Sequence, residues 1–216
     1  MARVIDGVNG TVSGKVGNVV YYNSNGGTYV RSLPTKKRRK RPPTAKQAVY
    51  RTRFTVVQNW LKPLLPLIRV GFNGYALRQT SHNSAMSYNL QHALIENGDS
   101  FEVSPEAFAF SRGLLPKAEQ AGMVQEGDSI RFYWQYNDEI PSDNKLDRTI
   151  LLLYRPVSDF ANYRIYGNER WQLTDLLTIK EFRPGDIVHG YIAFISSENQ
   201  EVSNSVYLGA LEVSAF

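Results

Sequence analysis

Asp128-Ser129-Ile130-Arg131-Phe132-Tyr133-Trp134-Gln135 is the stretch that decides the fold class. Ile130, Phe132 and Trp134 alternate with Arg131, Tyr133 and Gln135, the two-residue period of a strand with one buried and one wetted face. The same signal recurs toward the C-terminus. Strands are predicted at residues 101–103, 107–111, 129–136, 149–154, 163–166, 170–174, 187–195 and 205–213, with turn-forming residues between them. This spacing predicts an antiparallel β-sandwich over residues 99–216.

Toward the N-terminus the period changes. Thr44-Ala45-Lys46-Gln47 matches a capping box, in which a hydroxyl and an amide side chain satisfy backbone donors that a helix start leaves unpaired. Val49, Val56, Trp60 and Leu64 then define an apolar stripe, and Pro63 and Pro66 are expected to interrupt the helix. A second helix is predicted within residues 83–96, with Ala85, Tyr88, Leu90, Ala93 and Leu94 at helical spacing and Asn97-Gly98 as its stop. Two such helices cannot enclose a large core alone, so residues 44–98 read as a helical segment.

Residues 1–43 read as an arm, because Gly7, Gly10, Gly14 and Gly17 punctuate apolar stretches too small to form a core. Within it, Val19, Val20, Tyr21 and Tyr22 and, beyond a turn of Asn, Ser and Gly, Thr28, Tyr29 and Val30 predict a hairpin over residues 18–33. Six consecutive cations, Lys36, Lys37, Arg38, Arg39, Lys40 and Arg41, follow and end in Pro42-Pro43, which favours extended backbone.

The net charge of +5 conceals a strong asymmetry. Through Arg78 there are fifteen Lys and Arg against the single Asp6; beyond it there are ten against nineteen Asp and Glu. Such a dipole suits either a polyanionic partner for the N-terminal part or attraction between unlike ends of neighbouring copies. Lys46, Arg51 and Arg53 on the first helix extend the basic field. No base-stacking motif or recognition-helix signature accompanies it.

The residues that carry chemistry elsewhere fit bland readings better here. Gly10-Thr11-Val12-Ser13-Gly14-Lys15-Val16 has three residues between its glycines and Val16 where a phosphate loop needs Ser or Thr. Gly127-Asp128-Ser129 and Gly98-Asp99-Ser100 precede strands, where such triplets make turns, and lack a histidine partner motif. His82, His92 and His189 show no metal-ligand spacing, and Asp138, Glu139 and Asp143 lack the rest of a calcium loop. No catalytic residue, cofactor or metal site is expected. The absence of cysteine removes disulfides and thiol nucleophiles. The N-terminus has no signal-peptide pattern and no apolar run reaches spanning length, so a cytoplasmic, virion-associated or mobile-element-associated protein is the default expectation.

The stretch 128–134, then residues 150–155, then Phe182-Arg183-Pro184-Gly185-Asp186-Ile187-Val188 with Tyr191-Ile192-Ala193-Phe194, resembles the B, C and E-to-F strand pattern of fibronectin type III domains. Val188 stands where that family places its corner tyrosine, so the resemblance implies an immunoglobulin-like sandwich in general form. Most of the chain also resembles an uncharacterised domain-of-unknown-function family of Bacteroidota. The resemblance is carried in order by Gly14-Lys15-Val16-Gly17-Asn18-Val19-Val20, by Arg31-Ser32-Leu33-Pro34, and by Thr44-Ala45-Lys46-Gln47 through Arg53-Phe54 to Pro66-Leu67-Ile68-Arg69-Val70-Gly71-Phe72. That family brings no activity with it. The fold class expected is α+β: an N-terminal β-hairpin arm and a short helical segment, followed by an immunoglobulin or fibronectin-III-like antiparallel β-sandwich.

Three functional classes fit. The expected one is a non-enzymatic, self-assembling structural protein, a homo-oligomer whose arm (Val19, Val20, Tyr21, Tyr22, Tyr29, Val30) and basic segment make subunit contacts in a filament, ring or particle. The alternative is a nucleic-acid-associated protein that uses Lys36, Lys37, Arg38, Arg39, Lys40, Arg41, Lys46, Arg51 and Arg53 without reading sequence. A glycan-active enzyme comes third.

Overall fold

A computed structural model describes residues 3–4, 12–24, 27–33, 42–76, 79–98, 100–136 and 141–215. Two antiparallel sheets carry the C-terminal part. In one, β7 (Glu119–Glu126), β8 (Ser129–Gln135) and β11 (Thr174–Thr178) lie in the order β11-β8-β7; in the other, β9 (Arg148–Arg155), β10 (Phe160–Glu169), β12 (Ile187–Ile195) and β13 (Val206–Glu212) lie in the order β10-β9-β12-β13. The alternation in β8 is realised as read: Ile130, Phe132 and Trp134 are buried while Arg131, Tyr133 and Gln135 face solvent. They pack against Leu151, Leu153, Ile192 and Phe194 of the second sheet, so the two sheets close a core between them.

The four-stranded sheet is buried on its other face as well. Ile150, Leu152 and Tyr154 of β9 and Tyr191, Ala193 and Ile195 of β12 share a second core with Val57, Leu61, Leu64, Leu67, Ile68, Phe72, Ala85 and Met86 from the helical segment. This explains the contrast between the strands. β8 alternates because one side is wet; β9 reads Ile150-Leu151-Leu152-Leu153-Tyr154 because both sides are dry, and a doubly buried strand loses its polar phase. Each such aliphatic side chain removed from water contributes roughly 1.5–3 kcal/mol before entropy is counted.

The first helix, α1 (Ala45–Leu61), starts as predicted. Gln47 N–H donates to Thr44 Oγ1 at 3.3 Å and Thr44 N–H donates to Gln47 Oε1 at 3.2 Å. Pro63 falls in a 3-10 turn, Lys62–Leu64, which leads into α2 (Leu65–Gly71). The apolar stripe differs from the predicted one. Val57, Leu61, Leu64 and Ile68 are fully buried, whereas Val49 is exposed and Val56 and Trp60 are half-buried. The first turns of α1 run past the edge of the core, so the burying face is set only where the sheet lies beneath the helix.

The second predicted helix, α3 (Ser81–His92), is capped by Thr80 and ends earlier than residue 96. Leu94–Asn97 (β5) instead pairs with Ser100–Val103 (β6), and Asn97-Gly98, expected as a helix stop, leads into the hairpin turn with Gly98 at φ +60°. Residues 107–111, expected as a strand, are irregular yet mostly buried. Their polar backbone is satisfied elsewhere: Asn89 on α3 bonds both Ala109 groups, and Ser205 N–H donates to the Ser111 carbonyl. Residues 170–172, also expected in a strand, form a 3-10 turn, with β11 starting at Thr174. β7 was not anticipated, since Glu119-Gln120-Ala121-Gly122 carries little strand propensity; pairing with β8 imposes it, and the Tyr133 ring lies across Gly122, where a β-carbon would collide with it.

Candidate functional site

The N-terminal part forms a small antiparallel sheet of β1 (Arg3–Val4), β2 (Val12–Val16), β3 (Val19–Ser24) and β4 (Gly27–Ser32), in that order. The hairpin predicted over residues 18–33 is present as β3 and β4, and Gly17, at φ +55°, makes the tight turn from β2 into β3. Val12–Val16 is therefore strand, which places Gly14 of the superficial phosphate-loop pattern within a strand, while Gly10 lies outside the described residues.

The pairing register sorts the side chains onto two faces. Opposed pairs Tyr22–Tyr29, Val20–Arg31 and Lys15–Val20 share one face; Tyr21–Val30, Val16–Val19 and the neighbouring Val12 share the other. On the first face the Tyr22 and Tyr29 rings stack with centroids 5.6 Å apart, and the Arg31 guanidinium lies 5.5 Å from the Tyr22 centroid. That face is aromatic and cationic. The second carries Val12, Val16, Val19, Tyr21 and Val30 together with the polar Asn23, Thr28 and Ser32, and its residues belong to neither core of the body. Val16 is 50% exposed and Val30 55%. Lys15, Val12 and Val16 add to the six arm residues expected from sequence; their signal was the alternation of Lys15 and Val16 opposite Val20 and Val19, legible only once the register is known.

The sequence-predicted basic residues divide. Lys36, Lys37, Arg38, Arg39, Lys40 and Arg41 lie outside the described residues. Lys46 and Arg51 are exposed on α1, and Arg53 is half-buried, with its guanidinium 5.9 Å from the Tyr50 centroid and 5.6 Å from that of Phe101. Beside them Tyr50 and Phe54 are about half exposed. Among the described residues the five ion pairs, Arg131–Glu126, Arg155–Asp186, Arg164–Asp175, Arg170–Asp147 and Lys180–Asp128, all lie in the β-rich C-terminal part. No described N-terminal cation meets a described carboxylate within 4 Å.

The most deeply buried charge pair is internal and structural. Arg170 and Asp147 are both almost fully buried, with Arg170 Nη2 donating to Asp147 Oδ2 at 3.1 Å and to the Pro116 carbonyl at 2.8 Å. The guanidinium carbon lies 3.6 Å from the Phe194 centroid. Burial pushes the Asp147 carboxyl up from the usual carboxylate range, and the adjacent guanidinium opposes that rise. The strand expected over residues 170–174 carried no signal of this role for Arg170. Among the described residues no group of three or more His, Asp or Glu is arranged to hold a metal ion, and no helix is long and apolar enough to cross a membrane.

These features define a mostly β protein: two antiparallel sheets, backed by helices on one face, with an accessory N-terminal sheet that presents exposed aromatic, aliphatic and cationic side chains. The chain belongs to DUF6266, a family of unknown function whose model matches residues 11–209. No curated protein and no solved structure matches it.

Proposed function

We propose that the protein is a non-enzymatic structural component that self-assembles by placing its N-terminal sheet on a neighbouring copy. The observation that carries this reading is the apolar patch of Val12, Val16, Val19, Tyr21 and Val30 on one face of that sheet, which belongs to neither core among the described residues. A sheet this small does not recover the entropy of ordering its backbone from its ladder alone, so it requires an apolar surface against one face. The charge pattern supports the same partner. Cations of the N-terminal part find no carboxylate within reach among the described residues, while the C-terminal part carries the excess of acid. A contact between unlike ends is head-to-tail and propagates into rings or filaments.

The finer fold reading belongs with this proposal. The order β7-β8-β11 facing β10-β9-β12-β13 supports a fibronectin-III-like body, with β8, β9 and β12 as its central strands and Val188 in place of the corner tyrosine. Such domains serve widely as building modules, though fold alone assigns no role.

Sedimentation velocity on the full chain and on a chain lacking residues 1–43 tests the proposal at several salt concentrations. The full chain is expected to associate in dilute salt and the shortened chain to remain a folded monomer. A full chain that stays monomeric at high concentration and low salt sinks it.

One observation favours a second reading, association with nucleic acid: Lys46, Arg51 and Arg53 on α1 are interleaved with exposed Tyr50 and Phe54, so phosphate contacts and base stacking are available on one stretch of helix. Mobility shifts with random DNA and RNA in dilute salt discriminate it.

A further inference from the structure

A half-open cavity of about 480 Å³ lies where the end of α2, the segment after Phe110 and the β12–β13 connection meet. Its wall combines Arg112, Glu201 and Asn204 with Tyr75, Leu114 and Val202. We propose that this cavity binds a free α-amino acid with a large apolar side chain.

The argument begins with Arg112. Its guanidinium carbon sits 4.6 Å from the Tyr88 centroid, so the plane of the fork is held by the ring. The side chain makes no hydrogen bond or ion pair among the described residues, and Nε is sealed from solvent without a partner. Nε, being sealed, does not face a ligand in the open cavity; the two Nη groups keep solvent access and have no acceptor among the described residues, and that planar end is suited to a carboxylate.

The backbone around it is rigid. Arg112 N–H donates to the Gly71 carbonyl at 2.9 Å. A β-carbon at Gly71 would collide with the Phe110 carbonyl, and one at Gly113 with the Val202 carbonyl, so the three segments touch main chain to main chain. Gly113 N–H donates to Asn204 Oδ1 at 3.2 Å, which leaves the Asn204 Nδ2 group free to donate.

Glu201 has an exposed side chain, and its main chain is fixed separately. Its N–H donates to Ser196 Oγ at 3.1 Å, and its carbonyl accepts from Ser196 N–H at 2.9 Å. The two opposite charges therefore share one cavity without forming a salt bridge to each other. The ligand that satisfies both is a zwitterion, its carboxylate on Arg112 and Asn204 and its ammonium on Glu201. Leu114, 91% exposed, and Tyr75, 46% exposed, offer apolar surface for its side chain.

Isothermal titration calorimetry on the full chain tests this with four probes: L-phenylalanine, L-leucine, 3-phenylpropionate, which lacks the ammonium, and 2-phenylethylamine, which lacks the carboxylate. Saturable binding of both amino acids is expected, with each phenyl analogue at least about tenfold weaker than L-phenylalanine, as for the loss of one charge-assisted contact. Arg112→Lys keeps the charge but loses the planar fork and is expected to weaken L-phenylalanine about tenfold or more. Glu201→Gln alters an exposed side chain, so the fold is retained; it is expected to weaken L-phenylalanine while leaving 3-phenylpropionate no weaker. Absence of saturable binding by both amino acids overturns the proposal. So does equal affinity for L-phenylalanine and 3-phenylpropionate, or binding unchanged by both substitutions.

Discussion

Asn89→Ala is the substitution that most directly probes how the helices, the irregular segment and the sheet are held together. Asn89 is fully buried on α3, and its side chain acts as a surrogate strand for residues 107–111: Nδ2 donates to the Ala109 carbonyl at 2.9 Å, and Oδ1 accepts from Ala109 N–H at 3.0 Å. A third bond, Nδ2 to the Ala85 carbonyl at 2.9 Å, lies within the helix. Truncation leaves the Ala109 N–H and C=O buried and unpaired. Each orphaned group costs about 1–3 kcal/mol, so the expected loss is roughly 2–5 kcal/mol, allowing for one group finding a partial replacement. For a domain of this size that corresponds to a fall in Tm of about 5–15 °C. Urea unfolding followed by circular dichroism measures it. Asn89→Asp keeps the acceptor for Ala109 N–H but loses the donor; it is expected to remain destabilised because a carboxylate is buried beside a carbonyl. A loss below about 0.5 kcal/mol for Asn89→Ala would refute the reasoning, because it would mean that residues 107–111 do not depend on this side chain.

Two further outcomes follow from the body of the fold. Arg170→Ala removes one partner of a buried pair and leaves the Asp147 charge uncompensated, so a loss of about 3–5 kcal/mol is expected; the Arg170→Ala/Asp147→Ala double variant should lose less than the sum of the singles in urea unfolding. Burial holds the His189 imidazole below its ordinary pKa, and its Nδ1 lies 2.9 Å from the Tyr207 hydroxyl. The neutral ring is therefore the folded form. As pH falls through about 6.5 the unfolded chain takes up a proton that the folded chain resists, so stability drops toward pH 5; His189→Gln should show a smaller fall in Tm between pH 7 and 5 than the parent chain.

Local signals hold where the deciding interaction is itself local. The capping box at Thr44 needs only the chemistry of residues 44–47, the β3–β4 hairpin only its turn and strand-favouring flanks, and both are present. The alternation of Ile130, Phe132 and Trp134 reports a single dry face, which is what β8 has. The misreadings share one cause. Residues 107–111 look like a strand but spend their backbone bonds on Asn89 and on other non-strand partners, among them the β12–β13 connection. Residues 94–96 look helical but are captured by β6, and 119–126 look like neither until β8 supplies a ladder. Each outcome depends on a partner distant in sequence or on a competing local pairing that propensity does not weigh.

The candidate sites follow the same division. The arm residues and the exposed cations of α1 were named from composition and turn chemistry, while the two-faced character of the arm required the register that places Val12, Val16, Val19, Tyr21 and Val30 together. Nothing in the sequence pointed to Arg112 and Glu201, which are 89 positions apart and meet only because β12 returns its connection to the end of α2. By itself the sequence determined where apolar surface alternates, where helices can start and how charge divides along the chain, because these are set by neighbouring side chains. Which faces are covered was decided by tertiary structure. Burial depends on what arrives from elsewhere, and it arrived on both sides of β9 and β12, whereas no described residue of the N-terminal sheet joins either core.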